Sequence, residues 1–271
     1  MKMVPDHGNF HLKIFLRLDS SEYYTPCSLR RYERAKRISG NEYVFGQNSG
    51  QNRESHGGEI SPTFATFLLT DRRLFNIPNK RHVVVIDAGC GRGILLSHIA
   101  MARKNATTIG LEIDDDRCKL AKDVFWSTGI SSNRWHILKR SFVPSDGDSS
   151  DIFSTTSKNR TKVVFLFLNN YGGVFSHASG TNETSLEGQF CNEIIDGNLF
   201  AIGSKIITLS PIPLLSPNWL VKSYVINVPE GHFSWFSIGY HKIQLYKYTK
   251  IRSKTVKMRR SVRNNVGVID L

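Results

Sequence analysis

Val83-Val84-Val85-Ile86-Asp87-Ala88-Gly89-Cys90-Gly91-Arg92-Gly93 reads as an apolar strand running into a glycine-rich turn, with Ile94-Leu95-Leu96-Ser97-His98-Ile99-Ala100 behind it as a helix. Four β-branched residues in a row favour a strand covered on both faces, as in a parallel sheet. Gly89, Gly91 and Gly93 allow a tight turn and leave no Cβ between the backbone and a ligand. The spacing is Asp-x-Gly-x-Gly-x-Gly rather than Gly-x-Gly-x-x-Gly. That pattern favours a nucleoside with an amino-acid tail, as in S-adenosylmethionine, over a dinucleotide whose pyrophosphate rests on the helix N-terminus.

Thr107-Thr108-Ile109-Gly110-Leu111-Glu112 reads as the next strand and ends on a carboxylate 25 residues after Asp87. A doubly wound sheet uses an acid at this point to accept the ribose hydroxyls of a bound nucleoside. Glu112 is the candidate for that role. Asp114, Asp115 and Asp116 read instead as acids complementing the dipole of the next helix. The acid pair and glycine turn are typical of class I methyltransferases, and they indicate a cofactor without naming a target. The expected fold is therefore α/β: a class I S-adenosylmethionine-dependent methyltransferase fold, with a doubly wound, mostly parallel seven-stranded sheet and a small N-terminal extension.

At 271 residues, 40% hydrophobic and 11% aromatic, the chain has enough apolar surface for a sizeable core. No apolar run approaches the roughly 20 residues that span a bilayer; Phe165-Leu166-Phe167-Leu168 reads as a buried strand. Pro5, Asp6 and His7 interrupt the region where a signal peptide would be apolar, so a soluble intracellular protein is expected. Cys27, Cys90, Cys118 and Cys191 include no Cys-x-x-Cys pair, so neither structural zinc nor a disulfide framework is expected, and no metal site is assigned. Cys90, inside the glycine turn, reads as a small residue fitting a tight bend.

Charge adds a constraint. There are 36 Lys and Arg against 23 Asp and Glu, a net +13, which suits a polyanionic partner. From Lys242 to Arg263 there are nine Lys and Arg and no acid. The candidates are nucleic acid and anionic membrane, and such a run suits contact with a phosphate backbone, with a solvated face or an import signal as alternatives. A smaller cluster lies at Arg30-Arg31-Tyr32-Glu33-Arg34-Ala35-Lys36-Arg37.

Along the chain, residues 1–55 read as an extension and flexible connection, 56–250 as the catalytic domain, and 251–271 as a basic tail without regular structure. Ser61 and Pro62 mark a helix start. Strands are expected at 83–88, 107–112, 134–139, 162–168 and 205–209, with helices at 94–103, about 115–126 and about 184–196. A polar loop joins Pro144 to Arg160. Tyr224 to Val228, Phe233 to Ser237 and Ile243 to Tyr248 read as strands closing the sheet antiparallel.

Substrate choice falls to Val163-Val164-Phe165-Leu166-Phe167-Leu168-Asn169-Asn170-Tyr171-Gly172-Gly173. The carboxyl end of this fourth strand would face the transferable methyl group. Asn169 and Tyr171 are the candidate catalytic residues there, in place of the Asn/Asp-Pro-Pro-Tyr/Phe of amide-type adenine and cytosine methyltransferases. Gly57-Gly58-Glu59-Ile60-Ser61-Pro62-Thr63-Phe64 lies upstream, and Ile206-Ile207-Thr208-Leu209-Ser210-Pro211-Ile212-Pro213 downstream. Together with the Asp87 turn, these blocks in this order resemble the disruptor-of-telomeric-silencing family of non-SET histone H3 lysine methyltransferases, over about residues 56–249.

The resemblance implies a nuclear chromatin regulator that methylates a lysine on the globular core of histone H3 in nucleosomes. Glu59 would contact the methionine moiety of S-adenosylmethionine. Asp87, Gly89, Gly91 and Gly93 would form the cofactor floor, Glu112 would take the ribose, and Phe142 would pack near the adenine. Asn169 would lie beside the methyl donor at the base of a lysine channel walled by Trp235, with Tyr240 or Tyr246 as a second aromatic. The Lys/Arg tail would bind the DNA backbone. Gly57, Ile60 and Ser141 depart from the family pattern. The alternatives are an RNA or other protein methyltransferase on the same scaffold, or an inactive chromatin-binding member.

Overall fold

In the computed structural model the described residues are 68, 73–75, 77, 81–142, 163–168, 188, 190–191, 200–212, 218–228, 241–252 and 266–270. They form one eight-stranded sheet. Its strands are β1 (Val83–Ala88), β2 (Ala106–Glu112), β3 (Trp135–Lys139), β4 (Val163–Leu168), β5 (Lys205–Thr208), β6 (Trp219–Val228), β7 (His241–Lys250) and β8 (Val266–Asp270). Helix α1 (Ile94–Ala102) links β1 to β2, and α2 (Asp115–Thr128) links β2 to β3. The spatial order is β3-β2-β1-β4-β5-β7-β6-β8.

Every residue of β1 is buried, as its unbroken β-branched run predicts. Its side chains alternate between two cores. Val83 and Val85 pack with Leu95, Leu96, Ile99, Ala121 and Phe125 from the two helices. Val84, Ile86 and Ala88 pack on the opposite face with Val164, Leu166, Phe190 and Tyr248. A strand covered twice belongs at the centre of a doubly wound sheet. β1 pairs in parallel with β2 and with β4, leaving the switch point of the strand order at its carboxyl end. β7 alone is antiparallel to its neighbours β5 and β6. The first seven strands thus have the order and directions of the class I methyltransferase fold.

Two expectations need correction. The last strands do not all close the sheet antiparallel: β6 runs with the parallel set, because β7 inserts between it and β5. The end of the basic segment, expected to lack regular structure, carries β8, which pairs in parallel with β6 from Ser223↔Val266 to Asn227↔Asp270. A run of Val-Gly-Val-Ile supplies the β-prone residues for that pairing. The helix expected to start at Ser61 is described only at Leu68, which is helical, and that at about 184–196 only at residues 188, 190 and 191. The strand expected at 233–237 lies outside the described residues.

The chain just before β1 is held from across the sheet. Leu68, Leu74 and Phe75 are fully buried, and Phe75 meets Phe165 and Phe167 edge-on at 5.8 and 6.3 Å. The Lys205 ammonium donates to the Phe75 carbonyl at 2.6 Å. Lys247 and the Tyr224 hydroxyl both donate to the Arg73 carbonyl. Consecutive carbonyls at the end of a turn attract cations as a helix C-terminus does. Burial lowers the pKa of Lys205 below the ordinary lysine value.

No helix among the described residues is long and apolar enough to cross a membrane.

Candidate functional site

The site lies where β1 and β2 end side by side. Gly89, Gly91 and Gly93 all have positive φ, at 83°, 52° and 72°, a region that costs any residue with a Cβ. The turn is tied to β2, with Gly89 N–H and Cys90 N–H both donating to the Leu111 carbonyl at 2.8 and 2.9 Å. A Cβ built on Gly89 would meet nothing within 4 Å, so open space borders the backbone there. Gly93 serves as the N-cap of α1 without a side-chain cap.

Glu112 is the hub. Its Oε2 accepts from Gly91 N–H at 2.9 Å, and its Oε1 accepts from Ile113 N–H at 2.9 Å and Asp114 N–H at 3.0 Å. The residue is buried. A carboxylate offers about four acceptor sites, so three amides orient the group and leave capacity on Oε2 for one further donor. Asp87 is buried as well, and its carboxyl is raised well above the usual range, first by burial and second by the charge of Glu112. Two buried acids beside an open turn favour a ligand that brings hydroxyl donors and positive charge, and they disfavour a pyrophosphate.

Asp114 caps α2 by accepting from Arg117 N–H at 2.9 Å, with Asp115 and Asp116 in the first turn. The aspartate run is thus helix-capping, as its sequence suggests. Arg140 N–H donates to the Glu112 carbonyl at 2.7 Å, which keeps the chain beyond β3 beside the site. Two residues on, Phe142 is half-buried and meets Phe190 edge-on at 6.0 Å. The structure therefore brings together Asp87, Gly89, Gly91, Gly93 and Glu112, with Phe142 two residues past the Arg140 contact. Glu59, Asn169, Tyr171 and Trp235 lie outside the described residues. Leu168, which precedes Asn169, pairs with Ala88, which precedes Gly89.

Cys90 is a packing residue. Its thiol is buried, and burial followed by the charges of Asp87 and Glu112 pushes its pKa well up, away from nucleophilic use. Its Sγ lies over Gly110, a residue sequence reasoning passed by. A Cβ on Gly110 would come within 2.6 Å of Cys90 Sγ, 2.8 Å of Ile137 Cδ1 and 3.0 Å of Leu96 Cδ1. A glycine inside a strand is the signal that marks such close approach. Gly110→Ala is expected to cost about 2 kcal/mol by overpacking, read as a lower urea midpoint. Adding Cys90→Ala should recover part of that loss; no recovery would mean the thiol is not the obstructing group. Arg134 was also not anticipated: it donates to the carbonyls of Ala100 and Arg103 at 2.7 and 2.6 Å, closing the end of α1.

No protein-family model and no curated protein matches the chain. Solved methyltransferases resemble it. TrmN from Thermus thermophilus is 16% identical with a TM-score of 0.46, over 73% of this chain and 52% of that one. An RNA methyltransferase from Salinibacter ruber, solved with S-adenosyl-L-homocysteine, is 15% identical with a TM-score of 0.45, over 74% and 99%. An S-adenosylmethionine-dependent O-methyltransferase from Thermotoga maritima is 13% identical with a TM-score of 0.43, over 73% and 68%. The chain spans about half the length of the Thermus protein. The fold assignment rests on strand order and direction.

Among the described residues, no group of three or more His, Cys, Asp and Glu side chains could hold a metal ion.

Proposed function

We propose that this chain is an S-adenosylmethionine-dependent methyltransferase acting on a lysine of histone H3 in nucleosomes. The observation that carries the cofactor reading is the buried Asp87–Glu112 pair at an open glycine turn. The residues present fit the cofactor: Glu112 has acceptor capacity for a ribose hydroxyl, Gly89 leaves room for a ligand against the backbone, and the two acids suit a sulfonium and an ammonium. The substrate reading rests on the order of the Gly-Glu, Asp-x-Gly-x-Gly-x-Gly, Asn-Asn-Tyr and Ser-Pro blocks along the chain. Nuclear location and contact of the Lys/Arg tail with DNA belong to the same reading.

When bound, S-adenosylmethionine supplies a methyl group on a sulfonium. Glu112 would accept from the ribose, while Asp87 and Glu59 would hold the amino-acid end. Lysine has a pKa near 10.4 in water, and the dry channel that the resemblance implies beside Trp235 would disfavour its ammonium form. The Asn169 side-chain oxygen accepts from the neutral amine and aims its lone pair. Rate enhancement then comes from positioning and exclusion of water rather than from acid–base chemistry.

The test is methyl transfer from labelled S-adenosylmethionine to reconstituted nucleosomes, free histone octamer and total RNA in parallel. Label on nucleosomal histone H3 is expected. Label on RNA alone would replace the substrate and keep the cofactor reading. No label and no cofactor binding would leave a chromatin-binding member without activity.

A further inference from the structure

Among the described residues, the two ends of the sheet differ in charge. The described acids are Asp87, Glu112, Asp114, Asp115, Asp116, Asp123 and Asp270. All but Asp123, part-way along α2, belong to the carboxyl ends of the parallel strands or to the turn that follows β2. At the opposite end, where the parallel strands begin and β7 finishes, the described ionisable residues other than His82 are cations.

Some of these cations have a structural task. Arg134 closes the end of α1, and Lys205 holds the carbonyls of Leu74 and Phe75. Arg103 is buried and donates to the Ile77 and Ala102 carbonyls, and the Lys250 ammonium lies over the Trp219 ring at 5.5 Å. With Lys250, the exposed cations form a row. Arg81 precedes β1 and Lys104 precedes β2; both are exposed, and the Asn105 side chain joins the two turns by donating to the Arg81 carbonyl. Lys250 and Arg252 finish β7, beside the start of β5 through Gly203 N–H to the Lys250 carbonyl at 2.9 Å. Lys222 is exposed in the first half of β6. With strands about 4.8 Å apart, the row from β2 to β6 runs about 24 Å.

We propose that this end of the sheet, opposite the glycine turn, is a docking surface for the phosphate backbone of duplex DNA. Duplex DNA carries a charge about every 1.7 Å of its axis, so a 24 Å row spans about two-thirds of a helical turn. A single strand would call for successive stacking aromatics. Trp126, 64% exposed in the last turn of α2, is the one exposed large aromatic among the described residues. Ile202, Leu220 and Ile251 are exposed near the row, so an anionic bilayer is the competitor the test must include. Lys250 and Arg252 of this row belong to the Lys/Arg run from Lys242 to Arg263, whereas Arg81 and Lys104 lie outside it; the inference does not depend on the methyl-transfer reading.

The experiment measures binding of the full chain, without cofactor, to a labelled 30-base-pair duplex, a 30-nucleotide single strand and phosphatidylserine vesicles across a salt series. Arg81→Glu/Lys104→Glu/Arg252→Glu is expected to weaken duplex binding by about 30-fold and to lower the slope of log K against log salt by about 3. The neutral set Arg81→Gln/Lys104→Gln/Arg252→Gln should give a smaller loss in the same direction, and it serves if the reversals disturb folding. The same charge change at the other end, Arg117→Glu/Lys119→Glu/Lys139→Glu, should weaken binding less than 3-fold. Equal loss from both triple reversals, an unchanged salt slope, or binding to vesicles but not duplex would overturn the proposal.

Discussion

Glu112→Ala is expected to lose cofactor binding by at least about 100-fold and to lower stability by about 3 kcal/mol. Three backbone amides, from Gly91, Ile113 and Asp114, end on this one carboxylate. Removing it strands them, at about 1–3 kcal/mol for each group left without a partner and less where water enters. Without the Gly91 bond, the second glycine of the turn also loses its link to β2. Glu112→Gln separates the two roles. One amide oxygen still accepts, while the NH₂ group faces a donor, so stability should recover in part and cofactor affinity should stay low. Thermal unfolding with and without S-adenosylmethionine reads both quantities. An alanine variant melting with the wild type would dismiss the hub role, and a glutamine variant with full affinity would dismiss the ribose role.

Asn169→Ala is expected to lower kcat by about 10²–10³-fold, the scale for removing one preorganised hydrogen-bonding group from a reacting centre. Cofactor affinity should change less than about 3-fold, because the proposed cofactor contacts fall to Glu59, Asp87, the glycine turn, Glu112 and Phe142 rather than to Asn169. Single-turnover kinetics on nucleosomes alongside a cofactor titration provide the comparison. Parallel loss of both quantities would assign Asn169 to the cofactor site. The connection to β4 makes the prediction specific: Leu168 is level with Ala88 in the sheet, and Asn169 is the next residue in the chain.

The central strands and the placing of Asp87 and Glu112 beside the glycine turn were legible because local chemistry determines them. An apolar β-branched run, three glycines and an acid at the end of the following strand constrain backbone and site together, whatever the rest of the chain does. The course of β6 was harder to read. Its alternation specifies a strand, but its direction depends on β7 inserting beside β5, a pairing remote in sequence. β8 was hidden by the basic segment before it, since composition averaged over 251–271 conceals three β-prone residues, Val266, Val268 and Ile269, at the end. Gly110 was visible as a glycine within a strand, yet its reason, the Cys90 thiol above it, is a tertiary contact.

The lysine contacts to Arg73 and Phe75 bear on how the chain reaches this state during synthesis. Phe75 acquires its Lys205 partner only after 130 further residues, and Arg73 its Lys247 partner after 174. A chain emerging from the ribosome can assemble β1, α1, β2, α2 and β3 from neighbours, while Leu68, Leu74 and Phe75 await strands not yet made. Contacts so distant in sequence slow folding and prolong the exposure of apolar surface. The earliest-made part of this core is thus the last to be covered, and it is where a chaperone would have most to hold.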